Sequence, residues 1–203
     1  MEFIIRYGIS RLMVGIMLSI LFSGCIEEPV KEDVPELITK VTLTFTPTGG
    51  GAAIIATATD PDGEGVQNIA TNGPIVLQQN QTYTLTLSLI NELADPSSPA
   101  YNITDEVQKE GVEHLFFFAW TNNLFSAPSG NGNVDSRMDE LDYDDLDDAG
   151  NPIGLTTNWT SGSNPGTATF RVLLKHQPGL KSATSSSSDG ETDLDLTFDL
   201  EIQ

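Results

Sequence analysis

Apolar and small polar residues trade places along most of this chain. In "LITKVTLTFTP" Ile38, Val41, Leu43 and Phe45 stand against Thr42, Thr44 and Thr46, and in "TYTLTLSLI" Tyr83, Leu85, Leu87 and Leu89 stand against Thr82, Thr84, Thr86 and Ser88. A period of two carried by β-branched and aromatic residues is the pattern of a half-buried strand. "TATFRVLLKH" and "DLDLTFDLEI" repeat it; the last sets Leu194, Leu196, Phe198 and Leu200 against Asp193, Asp195, Thr197 and Asp199. "AAIIATAT" and "GLTTNWT" are weaker strand segments, and "PTGGG", "PDGEG", "SGNGN" and "SGSNPG" supply turns. Short strands at this spacing, with little helix between them, predict an all-β fold, an antiparallel β-sandwich that is immunoglobulin-like or similar.

Two neighbouring segments depart from the alternation. "YNITDEVQKEGVEH" offers Asn102 or Thr104 as an N-cap, acids in the first turn and Gly111 as a stop, which predicts at most one short helix near residues 103–111. It runs into "HLFFFAW", an unbroken apolar strand that must be covered on both faces, so Phe116, Phe117 and Phe118 are expected in the core.

The N-terminus follows a different logic. Arg6 and Arg11 precede "LMVGIMLSILF", an apolar run of eleven residues, Leu12 to Phe22. That is the length of a signal-peptide h-region and short of the roughly 20 residues that cross a bilayer. Ser23 and Gly24 are small, and the next residue, Cys25, is the chain's one cysteine. "LFSGC" resembles the bacterial lipobox, with Phe22 where Leu is commonest. The expected organisation is therefore a lipoprotein signal peptide over 1–24, a lipidated Cys25 with an acidic, Pro-containing tether over 25–36, and a single β-sandwich domain over 37–203. More than one acyl chain on Cys25 would hold the protein stably at a membrane.

Charge narrows the partners. The full chain has 29 acidic and 9 basic residues, net −20. Loss of residues 1–24 would leave 28 acidic and 7 basic residues, net −21. Nucleic acid phosphates repel such a chain, and anionic headgroups do too, so membrane attachment would fall to the lipid. The same charge suits cation capture.

Three groups of residues carry candidate chemistry. "DPDGEG" places Asp60, Asp62 and Glu64 at alternate positions, and "DELDYDDLDDAGNP" over 139–152 holds Asp145, Asp147 and Asp148 before Gly150. Calcium takes six to eight oxygens, which alternating acids with a glycine bend can deliver, although neither loop completes an EF-hand. Asp and Gly also favour such turns for backbone reasons alone. The third group is His114 and His176, the chain's two histidines, each at a strand end, with Glu106, Glu110 and Glu113 close to His114 in sequence. Two His and a carboxylate suffice for zinc or another divalent transition ion, provided that the fold assembles them.

No GxSxG elbow, Gly-rich phosphate loop or second Cys is present, and "SATSSSSDG" reads as a flexible loop, so no enzyme is expected. Trp120 and Trp159 could stack on sugar rings, but core or rim packing suits them better.

The strings "LTFTPTGGG", "LINE", "NITDEV" followed by "EHLFFF", "DLDDAGNPIGL", "LLKHQP" and "DGETDLDLTF" span most of residues 43–198. Together they resemble a family of small Bacteroidota lipoproteins of uncharacterised function, often labelled "type 1 periplasmic binding fold superfamily protein". The label does not suit this chain, which lacks the alternating βα pattern and the length of a two-lobed periplasmic-binding fold. The resemblance implies an outer-membrane lipoprotein, cell-surface exposed or else periplasm-facing, that serves an uptake system and its outer-membrane receptor. The acids that follow Cys25, including "KED", are similar to the tag that directs such lipoproteins to the cell exterior. His114 and His176 fall inside the resembling strings. The leading expectation is a binding or accessory lipoprotein holding a divalent cation, zinc or calcium. The alternatives are a structural or adhesive surface domain with calcium-stiffened acidic loops, and a carbohydrate-binding protein.

Overall fold

A computed structural model describes residues 36–63, 69–135 and 140–203. The expected signal peptide, Cys25, Glu64 and all of the tether except Glu36 lie outside the described residues. Eleven strands form where the alternation predicts them and in a few places where it does not. They are β1 (Lys40–Pro47), β2 (Ile54–Thr59), β3 (Ala70–Thr71), β4 (Ile75–Leu77), β5 (Thr82–Ile90), β6 (His114–Trp120), β7 (Phe125–Ala127), β8 (Asp142–Tyr143), β9 (Thr156–Ser161), β10 (Gly166–His176) and β11 (Glu191–Ile202). One short helix, α1 (Ile103–Lys109), lies inside the predicted span, after a 3-10 turn at Pro99–Tyr101. Among the described residues no helix is long and apolar enough to cross a membrane.

The strands make two sheets. One runs β3-β2-β1-β5-β9-β7, with β8 also paired to β9, and the other runs β4-β11-β10-β6. All pairs are antiparallel except β4 with β11, which is parallel. This is the expected all-β sandwich, with one parallel edge that alternation cannot reveal.

The inward positions of both sheets meet in one aromatic-rich core. Phe170 lies against Phe45, Phe118, Phe125 and Trp159, with ring centroids 5.0 to 6.1 Å apart. Trp120 and Trp159 are both buried here, so neither presents a ring for sugar stacking. β6 is covered on both faces, as its unbroken apolar run requires. Phe116 and Phe118 enter the main core, while Leu115 and Phe117 pack on the other side with Val134 and Leu173.

The outer edge of β6 is closed by the segment that follows it. Phe116 N–H donates to the Ile153 carbonyl, and Phe118 N–H donates to Asn133 Oδ1. The Tyr143 hydroxyl donates to the Phe116 carbonyl at 2.6 Å and accepts from Asn133 Nδ2 at 2.8 Å. An open edge would invite pairing with another chain, and this one is covered.

α1 docks through its second residue. Thr104 Oγ1 accepts from Leu89 N–H at 2.7 Å and donates to the Leu89 carbonyl at 3.1 Å. Asn102 occupies the N-cap position without a side-chain cap bond. The short helix is thus held to β5, and its C-terminal end leads directly into the turn before His114.

Candidate metal centre at the strand ends

The pairing of β6 with β10 puts His114 directly opposite His176. Their rings stack with centroids 4.6 Å apart and 8° between planes. Both are buried, His114 fully, which is unusual for two polar rings at the end of a sheet. His114 Nδ1 lies 3.1 Å from the Glu110 backbone carbonyl. A carbonyl can only accept, so Nδ1 carries the proton and Nε2 keeps its lone pair in the neutral ring. Metal-ligating histidines commonly have this arrangement, one nitrogen donating to a carbonyl and the other left to bind.

Carboxylates surround the pair. His176 Nε2 is 3.4 Å from Glu113 Oε2, and His114 Nε2 is 3.6 Å from Asp193 Oδ2. In a tetrahedral zinc site with bonds near 2.0–2.2 Å, neighbouring ligand atoms stand about 3.3–3.6 Å apart. Glu110, His114 and His176 each offer a ligand atom within 4.8 Å of the other two. A second grouping at the same spacing joins Glu36, Glu106 and Glu110. Of the five residues expected at a transition-metal site, Glu110, His114 and His176 converge, Glu113 pairs with His176, and Glu106 reaches the cluster through Glu110 and Glu36.

Asp193 is absent from the sequence-level expectation, where it reads as an outward polar member of an alternating strand. A bulge changes its direction. Leu174 pairs with Leu194 but Lys175 pairs with Thr192, which leaves Asp193 as the extra residue of β11. Bulges re-aim side chains in this way, and here Asp193 and Leu194 are both buried. Burial pushes the Asp193 carboxyl up to about 6; the Glu36 carboxylate adds to this, while His176 acts in the opposite direction. The Glu36 backbone N–H also bonds the Asp193 carboxylate and, like His176, favours its charged form, but burial outweighs both. Burial thus disfavours the charged carboxylate on balance, a cost that a divalent cation would offset.

The walls of the site come from two long connections. Between β10 and β11, the Ser-rich stretch read from sequence as flexible is a hydrogen-bonded corner. Gln177 Nε2 donates to the Ser186 and Asp189 carbonyls, and Asp189 Oδ2 accepts from Ser186 N–H. Gly190 returns the chain past the end of β10 with φ 71°, and a Cβ there would lie 2.0 Å from the His176 carbonyl oxygen. Gln177 N–H donates to the Glu113 carbonyl at 2.6 Å, tying this corner to the turn before His114. On the other side, a cleft of about 770 Å³ between residues 96–102 and α1 is lined by Tyr101, Glu106, Lys109 and Glu110. The carboxylate side of the cluster therefore opens to solvent.

The acidic loops use their carboxylates differently. Asp60 is buried and its Oδ1 accepts from the backbone N–H groups of Asp62 and Gly63. Asp145 accepts from Gly154 and Leu155 N–H through its two oxygens, and Asp147 Oδ1 accepts from Ala149 and Asn151 N–H. Asp147 Oδ2 pairs with Lys181 Nζ at 2.8 Å, and Asp148 is exposed. Among the described residues, Asp145, Asp147 and Asp148 belong to no three-residue grouping of metal-compatible spacing. The Asp145 and Asp147 oxygens accept from the loop's own backbone amides and so hold the loop together.

No protein-family model matches the chain, and neither the curated proteins nor the solved structures give a match. The functional reading therefore rests on the chemistry of this site.

Proposed function

We propose that this chain is a lipid-anchored cell-envelope accessory protein that binds a divalent transition-metal ion, zinc above all, between His114 and His176. The observation that carries the reading is the buried, face-to-face histidine pair with Glu110 alongside and the His114 tautomer set by a backbone carbonyl. The role is binding and not catalysis: the carboxylates act as ligands or charge partners, and the ion enters and leaves through the cleft that Glu106 and Glu110 line. Anchoring through Cys25 and service to an outer-membrane uptake receptor complete the proposal, on the strength of "LFSGC" and of the family resemblance.

The test is thermal unfolding of the chelated protein with zinc, manganese or calcium added. Zinc is expected to raise the midpoint, and His114→Ala and His176→Ala are each expected to abolish the rise. Stabilisation by calcium alone would refute the histidine site in favour of the acidic loops, and no response to any ion would refute metal binding.

A further inference from the structure

We propose that Lys181 is the positioning residue of the histidine site, holding the turn that carries Glu110, Glu113 and His114. The proposal rests on reading that site as a metal centre.

Lys181 lies in the corner between β10 and β11 and reaches back 70 residues in sequence to the turn after α1. Its ammonium donates to the Gly111 carbonyl at 2.5 Å and pairs with Asp147 Oδ2 at 2.8 Å, and neither charged side chain exposes surface. The Gly111 carbonyl also accepts from the backbone N–H of His114 at 3.3 Å. One oxygen thus links Lys181 to the backbone of a candidate ligand. Asp147 is itself fixed by the Ala149 and Asn151 amides, so the anchor is rigid at its far end.

The turn has little room to adopt another path. A Cβ on Gly111 would come within 2.7 Å of Ile153 Cδ1 and 3.3 Å of the Asp147 Cβ. Beyond Gly111, the Glu113 carbonyl is held by Gln177 N–H, from the same corner as Lys181. The corner therefore grips the ligand-bearing turn at two carbonyls, those of Gly111 and Glu113.

A buried ion pair is a poor device for stability alone, because well-packed apolar side chains of similar volume often do as well or better. What an ammonium adds is a directed bond to one carbonyl. That contribution is geometric, and a metal site needs it, since partners outside the ligand set commonly change affinity by about 10–100-fold.

The experiment compares the wild-type protein with Lys181→Met and with the double variant Lys181→Met/Asp147→Asn, using cobalt(II) and zinc as probes. Lys181→Met leaves Asp147 charged and buried, so it is expected to lower stability as well as affinity. The double variant removes that lone charge and is expected to regain stability while still binding zinc about tenfold or more weakly. Its cobalt visible bands, which report ligand geometry, are expected to shift from those of wild type.

A folded double variant with wild-type zinc affinity and unchanged cobalt bands would overturn the positioning role and leave the metal site standing. A wild-type protein that binds neither ion would overturn both, and the wild-type titration alone tells these failures apart.

Discussion

Asp193→Asn removes a charge that the fold buries at the end of its core, and the size of the effect follows from one linkage. The ordinary carboxyl value is 3.8 and the folded chain raises it to about 6. Over the interval between them the folded protein holds a proton that the unfolded chain has released. Stability from this group is therefore greatest below pH 4, falls as pH rises through 4 to 6, and is flat above. At about 1.4 kcal/mol per pH unit the loss at neutral pH is about 3 kcal/mol. Asparagine has the same shape and no charge, so without metal the variant is expected to exceed wild type by about 3 kcal/mol at pH 7.5. At pH 5, inside the window, the advantage falls to about half of that. Urea unfolding in EDTA at the two pH values measures both differences. Zinc should then reverse the ranking at pH 7.5, because the cation restores a partner to the wild-type carboxylate and offers less to the amide. A variant less stable than wild type at pH 7.5 in EDTA, or a difference that is equal at the two pH values, would refute the account of Asp193.

The remaining predictions probe the scaffold around the site. Tyr143→Phe leaves the Phe116 carbonyl and the Asn133 amide without the phenol that joins them, and is expected to lower unfolding free energy by about 1–3 kcal/mol in urea titrations. Phe170→Ala opens a cavity among four aromatic neighbours and is expected to lower it by about 3–5 kcal/mol; a loss below 1 kcal/mol would mean that the two sheets do not pack as described. Arg171→Ala breaks a two-pronged pair with Asp195 on the outer face, where both side chains are more than a third exposed. Its expected effect is under about 1 kcal/mol and should shrink further at high salt.

The longer strands other than β6 are legible in the sequence because each keeps a period of two over much of its length with one face buried, and β6 is legible from its unbroken apolar run. β3, β4, β7 and β8 have two or three residues each, too few to show a period, and exist because neighbouring strands offer them backbone partners. The parallel pairing of β4 with β11 is likewise set by packing. Within the site, His114 and His176 are legible as strand-end residues, but their alignment depends on the β6–β10 register, which no local pattern encodes. Asp193 is hidden more thoroughly. In "DLDLTFDL" it has the same rhythm as Asp195 and Asp199, and only the bulge separates their fates. Asp145 and Asp147 have a spacing that suits an ion, and their bonds to the loop's backbone amides depend on a loop conformation that spacing does not encode.

Two features of the site run against foldability taken alone. A sandwich core ordinarily excludes carboxylates, and β11 could keep Asp193 outside by continuing its alternation without a bulge. Instead the strand gains a residue at the place where that carboxyl turns toward the buried His114–His176 stack. The consequence is a metal-free domain weakened at neutral pH by the same charge that a cation would satisfy. Local rules of folding are broken at functional sites more often than elsewhere, since a group whose charge is disfavoured by burial is one that a ligand can satisfy. Affinity and instability are then one quantity seen in two states. On the proposed reading, what Asp193 takes from the free domain a bound ion would return, and Asp193→Asn should diminish both together.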